Sequence, residues 1–301
     1  YEGNKALLGI IPKTCSILIP RLLDCLIAVV EASPLVFHDV HIAKLAPYLI
    51  CTDITQRQLA IYLFNQIIDL KYYKSTRIFT VLIENLLKNA ILEAKEDLLT
   101  SSLALLLKIS AFHKTKEEFK FCFASDKICI LLKHSNMPIL HLSLLLLQVL
   151  FSRYDQSSST IQSFLSSFSS AMRIIDNDGK LAGLNALSSI MNNDITYSTV
   201  SSDKNIVADL IDCLNSSDQM IQIAALRLCY AFCSNKLSVE TFAKLSPNFL
   251  DLLNFTEQNE VVVDPENLEE ENKKTKLKSK KSSKSKKLSQ LDLTIITFAS
   301  F

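Results

Sequence analysis

The residues able to do acid–base or metal chemistry are few and scattered. His38 and His41 stand three apart and can share one helix face, where two imidazoles could reach one ion. No cluster of carboxylates recurs beside them to complete a ligand set. His134 and His141 bracket Pro138 and suit capping or packing at a turn. Cys229 and Cys233 are one helical turn apart, but no second Cys or His pair lies nearby to close a zinc site. The serines of "SRYDQSSSTIQSFLSSFSS" are numerous, yet no base stands in pattern with them, and the stretch reads as a loop feeding a polar helix face. A G-x-S-x-G turn, a phosphate loop and an H-E-x-x-H helix are all missing from the sequence. The expectation is a chain with no catalytic residue, no metal, no cofactor and no enzymatic activity of its own.

What remains is apolar material with little to turn it sharply. The 301 residues are 49% hydrophobic and 21% charged, with a formal net charge of +1. Only four are glycine: Gly3, Gly9, Gly179 and Gly183. Average usage, roughly 7%, would supply about 21. Folds that cradle phosphates or close tight hairpins use glycine at positive φ, so few hairpins can be built here. Nearly all eight cysteines lie in apolar helical stretches, where a thiol packs as a small hydrophobe. Reduced thiols point to the cytoplasm or nucleus. "ILHLSLLLLQVLF" is too short for a span of about 20 residues and carries His, Ser and Gln, so it reads as a buried helix.

A repeated switch organises the chain. Asp or Asn precedes a small residue by seven positions at Asp53/Ala60, Asp97/Ala104, Asn136/Ser143, Asp176/Gly183 and Asp218/Ala225. The small anchors are spaced 44, 39, 40 and 42 residues apart. Each acid or amide can accept a free N–H at the start of a helix. After Asp218, Ile221, Ala224, Ala225, Leu228 and Phe232 fall at helical steps, and after Asp53 so do Ala60, Leu63, Phe64, Ile67 and Ile68. The stripe after Asp97 is interrupted by Lys108. A shorter amphipathic segment leads into each switch: "HIAKLAPYLI", "IFTVLIENLL", "KICILLK", "FLSSFSSAMRII" and "NIVADLIDCLN". The polar step is then a turn between stacked helices, and the small anchor admits a close neighbour. An unrelated bundle has no reason to keep a fixed period.

Residues 206–235, "IVADLIDCLNSSDQMIQIAALRLCYAFCSN", resemble an armadillo repeat, and "APYLICTDITQRQLAIYLFNQI" (46–67) is similar. The resemblance, to the armadillo/HEAT superfamily, covers most of residues 14–255 and implies an all-α, right-handed α-solenoid of five to six repeats. It also implies an extended peptide held along the third helices, which in peptide-binding members carry a Trp just after the anchor and an Asn five after it. The five-after positions here are Asn65, Ile109, Gln148, Ser188 and Tyr230. Only Asn65 matches, and the chain has no Trp. Asn65, Gln148, Ser188 and Tyr230 are therefore groove-lining candidates for binding by shape and apolar pockets.

The end of the chain is organised by charge. Residues 257–271 hold seven acids and no base, and residues 273–287 hold nine lysines and no acid. Those lysines are Lys273, Lys274, Lys276, Lys278, Lys280, Lys281, Lys284, Lys286 and Lys287. Setting both blocks aside, 32 basic and 31 acidic residues fall to 23 and 24, so the body is nearly neutral. The expected organisation is helical repeats over 1–255, a disordered insert over 256–287, and an apolar helix over 288–301 belonging to a last repeat that continues past Phe301. The leading expectation for function is a protein–protein interaction scaffold with no membrane span. The alternatives are the regulatory arm of a larger enzyme such as a kinase, or binding of an anionic filament, nucleic acid or import receptor through the lysine block.

Overall fold

The computed structural model describes residues 16–32, 39–68, 77–92, 95–191 and 194–233. The proposed insert and the final apolar helix, including all nine lysines, lie outside them. The described residues form thirteen α-helices and four short 3-10 turns, with no strand among them. The helices are α1 (Ile19–Ala32), α2 (Asp39–Leu45), α3 (Ile54–Ile67), α4 (Arg77–Leu92) and α5 (Glu96–Ser110). They continue as α6 (Lys116–Phe121), α7 (Ala124–Cys129), α8 (Met137–Phe151), α9 (Ser158–Ile174), α10 (Asn177–Ser189), α11 (Asp194–Ser202), α12 (Lys204–Leu214) and α13 (Gln219–Cys233). The chain divides into two compact units, Tyr1–Asp209 and Leu210–Phe301.

In the first unit, α1, α3, α5, α8 and α10 pack each on the next in one row. The 3-10 turn Ala46–Ile50 packs on α4, α4 on α7, and α7 with the turn Ile130–Lys133 on α9, making a second row. The apolar sequence requires this layering. The helix α8 buries Ile139, Leu140, Leu144, Leu146, Leu147, Leu150 and Phe151 because it lies between α5 and α10 and touches α7 as well. Each such side chain contributes about 1.5–3 kcal/mol on burial. Phe164 of α9 meets Phe151 edge-on, with centroids 5.1 Å apart, and joins the two rows.

The helix starts follow the polar switches at four of five sites. Asp53 Oδ1 accepts the Thr55 and Gln56 amides at 2.8 and 3.3 Å. Asn136 Oδ1 accepts from Ile139 at 3.3 Å, and Asp176 Oδ1 from Gly179 at 2.9 Å. In the second unit Asp218 Oδ1 accepts the Met220 amide at 2.8 Å. The exception is Asp97. It lies inside the first turn of α5, whose N-cap is Lys95, with no side-chain bond to the helix.

The second anchor moves accordingly. Seven residues past Lys95 stands Ser102, fully buried, whereas the expected Ala104 is half-exposed. The anchors become Ala60, Ser102, Ser143, Gly183 and Ala225, and their spacings tighten to 42, 41, 40 and 42 residues. Ala60, Ser102, Ser143 and Ala225 are each 0% exposed. Gly183 is chosen for space. A Cβ there would sit 2.8 Å from Met172 Sδ, 3.6 Å from Phe168 and 3.7 Å from Leu144, where α8, α9 and α10 converge.

Candidate recognition surface on the stacked helices

The positions five past each anchor can be placed on the first row. Asn65 on α3 and Gln148 on α8 are half-buried, and Ser188 on α10 is exposed. With the register corrected, α5 presents Leu107, half-buried, and not Ile109, which is fully buried in the core. Gln148 and Ser188 therefore occupy equivalent places on directly packed helices. Asn65 is separated from Gln148 by α5 and Leu107. Tyr230 is exposed on α13, in the second unit.

Cations tie the ends of this row together. Lys108, which breaks the α5 stripe, extends its Nζ to the carbonyl oxygen of Asn65 near the C-terminus of α3. Arg153, just past α8, donates from NH2 to the Ala111 carbonyl just past α5 at 3.0 Å. Each cation sits where a helix leaves carbonyls unpaired and carries partial negative charge. Burial lowers the Arg153 pKa from its ordinary value. Tyr62 of α3 donates to Glu31 of α1 at 2.8 Å, and that bond raises the phenol's pKa. These bonds cross 31 to 43 residues of sequence, and no local pattern announces them.

The remaining polar residues pin the scaffold. In the second row Asn85, 7% exposed, donates to the Ala46 carbonyl at 3.2 Å. Ser125 and Tyr154 share a hydrogen bond of 3.0 Å, and Thr160 donates to Asp126. Burial pushes the Tyr154 phenol and the Cys129 thiol each up to about 12. His134 Nδ1 accepts the Asn136 amide at 3.0 Å, and His141 Nδ1 lies 3.6 Å from Asp176 Oδ1. His134 thus serves the turn beside it, whereas His141 reaches not that turn but the cap of α10, 35 residues further on. His38 lies outside the described residues, as does the His41 side chain. Cys122, Cys129, Cys213 and Cys229 are buried, but Cys25 faces solvent, and Cys25, Cys51, Cys122 and Cys129 are free thiols. Among the described residues no group of three His, Cys, Asp or Glu is placed to hold a metal ion. No described helix is long and apolar enough to cross a membrane.

No protein-family model and no curated protein matches the chain. Solved structures do. An engineered protein aligns over 82% of this chain and 62% of its own, with 14% identity and a TM-score of 0.62. Computationally designed armadillo repeat proteins for modular peptide recognition align over 71% of this chain and 92% of their own, at 13% identity and 0.57. A designed armadillo repeat protein in complex with the peptide (KR)4 aligns over 75% and 94%, at 12% and 0.56. The chain has an armadillo/HEAT-like α-solenoid fold.

Proposed function

We propose that this chain is a non-catalytic scaffold that holds an extended segment of a protein partner along α3, α5, α8 and α10. The observation that carries the reading is the pairing of Gln148 with Ser188. They stand in equivalent, solvent-reached places on packed neighbours, with Asn65 two helices away in the same register. Amide and hydroxyl side chains on helices about 8–10 Å apart can meet backbone groups two to three residues apart along an extended peptide, with little preference for its sequence. Leu107 in the intervening place offers an apolar contact. The similar designed proteins, one group made for modular peptide recognition and one in complex with a peptide, support the same use of the fold. The free thiols of Cys25, Cys51, Cys122 and Cys129 support a reducing compartment, cytoplasm or nucleus. The nine lysines of residues 273–287 complete the proposal as a salt-sensitive docking element for an anionic partner.

Panning a displayed library of random peptides against the chain tests the groove. Selected binders are expected to lose about tenfold in affinity on Gln148→Ala with Ser188→Tyr, with the melting temperature retained. Binders indifferent to those changes and to Asn65→Ala would remove the groove from the proposal. Deleting residues 273–287 should weaken binding at low salt far more than at high salt.

A further inference from the structure

The chain exposes two phenylalanines where its own helices could have buried them. In "EEFKFCFASDKICILLK" (117–133), Phe119 is 1% exposed, whereas Phe121 is 72% and Phe123 is 68% exposed. Phe123 is also the one described non-glycine residue with positive φ, at φ 51° and ψ 44°. A bulky residue is strained in this left-handed region, which glycine or asparagine occupies more readily. The strain turns the chain from α6 into α7 and leaves the ring outside.

Lys127 and Ile130, three apart, share one face of α7 and the turn after it, and Phe123 stands at the N-cap of the same helix. Ile130 is 55% exposed. The charges around these apolar groups are mostly positive, although the exposed Glu84 of α4 also lies near Cys122. Lys114, Lys120 and Lys133 are exposed, and Lys116 and Lys127 are half-exposed. Of the acids in the same stretch only Glu117 is exposed. Glu118 is buried and Asp126 accepts from Thr160. Both short helices pack on α4, in the second row, and α7 packs on α8 as well, so these residues belong to helices other than those carrying Gln148 and Ser188.

We propose that Phe121, Phe123 and Ile130, with Lys120, Lys127 and Lys133, form a second docking surface for an acidic peptide segment bearing a bulky apolar side chain. The apolar residue seats on the phenylalanines and Ile130, and its flanking carboxylates pair with the lysines, whose aliphatic stems extend the apolar contact. A peptide fits better than a membrane, because three apolar residues spread over the end of α6, the junction at 123 and the turn after α7 are too few to form an amphipathic membrane face.

The probe is a short fluorescein-labelled peptide with glutamates flanking two phenylalanines, read by anisotropy against the full chain. A counterpart with lysine for glutamate serves as control. Phe121→Ser with Phe123→Asn is expected to weaken glutamate-peptide binding about tenfold, and Lys120→Glu with Lys127→Glu to do the same. The lysine peptide should not bind, and added salt should weaken the glutamate peptide. Asparagine tolerates the left-handed backbone at 123. If the aromatic variant nevertheless melts early, the lysine variant decides alone. Unchanged affinity in the deciding variants overturns the proposal, as does equal binding of the lysine peptide. So would a dimer that the aromatic variant dissociates, or preferential binding to phosphatidylserine vesicles.

Discussion

Asn136 at the N-cap of α8 donates its side-chain amide to Glu96 Oε2 at 2.6 Å, tying the start of one repeat to the first turn of the helix a repeat earlier. At the opposite ends of the same two helices, Arg153 reaches the Ala111 carbonyl. The two bonds span 40 and 42 residues of sequence, so α5 and α8 are held in register at both ends. This pairing gives Glu96 a lateral role and leaves Lys95, not Asp97, at the start of α5.

The corrected register has a direct mutational test. Ser102→Phe forces a ring into a fully buried site and should cost about 1–3 kcal/mol or more. Ala104→Phe, at a half-exposed position, should cost less than half of that. Urea unfolding of the two variants checks it. Equal losses would restore the register anchored on Ala104.

The caps should follow the same order. Asp176→Ala removes the acceptor of the Gly179 amide and should destabilise by about 1 kcal/mol. Asp97→Ala removes only a favourable charge from a first turn, about 0.5 kcal/mol or less. Thermal melting of the pair ranks them.

Two anchors carry hydroxyls their sites do not use. Ser102 Oγ and Ser143 Oγ are buried with no hydrogen-bond partner. Removing such a group relieves its desolvation, so Ser143→Ala should stabilise the protein by about 1 kcal/mol. A loss of stability on denaturant unfolding would show that the hydroxyl is satisfied after all.

Thiol chemistry should divide the cysteines by burial. Cys25 faces solvent and should be alkylated by iodoacetamide in the native protein at neutral pH. Cys129, buried and pushed up to about 12, holds almost no thiolate and should react only on unfolding. Mass spectrometry of peptides from native and denatured samples reads both.

Alkali should unfold the protein through the same groups. Cys129 and Tyr154 are raised in the folded state, from 9.0 and 10.0, each to about 12. Their contribution is fully present below the unfolded values and is lost as pH rises towards the folded ones. Melting temperature should fall between about pH 9 and 12. Tyr154→Phe should flatten part of that fall, and an unchanged profile would put the sensitivity elsewhere.

The repeat period, the helix positions and four of the five helix starts were legible because each depends on residues within a turn or two of one another. Asp53 reaches amides two and three residues on, and the stripes behind it recur at helical steps. Lys108 was legible only as an interruption. Its partner is the Asn65 carbonyl, 43 residues earlier, and no local spacing encodes that bond. The exposed Phe121 and Phe123 were equally hidden. "FKFCF" contains three phenylalanines of identical chemistry, and only the left-handed backbone at Phe123 and the packing of α6 and α7 on α4 leave two of them outside.

The sequence by itself determined a helical chain repeating about every 40 residues, with small residues where helices approach and almost no glycine to allow anything else. Those properties come from steric and capping preferences that act within one turn. Tertiary structure decided that Ser102 and not Ala104 is the second anchor, that Lys108 and Arg153 close the helix ends of the preceding repeat, and which phenylalanines meet solvent. Each of these depends on a neighbour folded against the residue from far along the chain, so it exists only once the repeats have stacked.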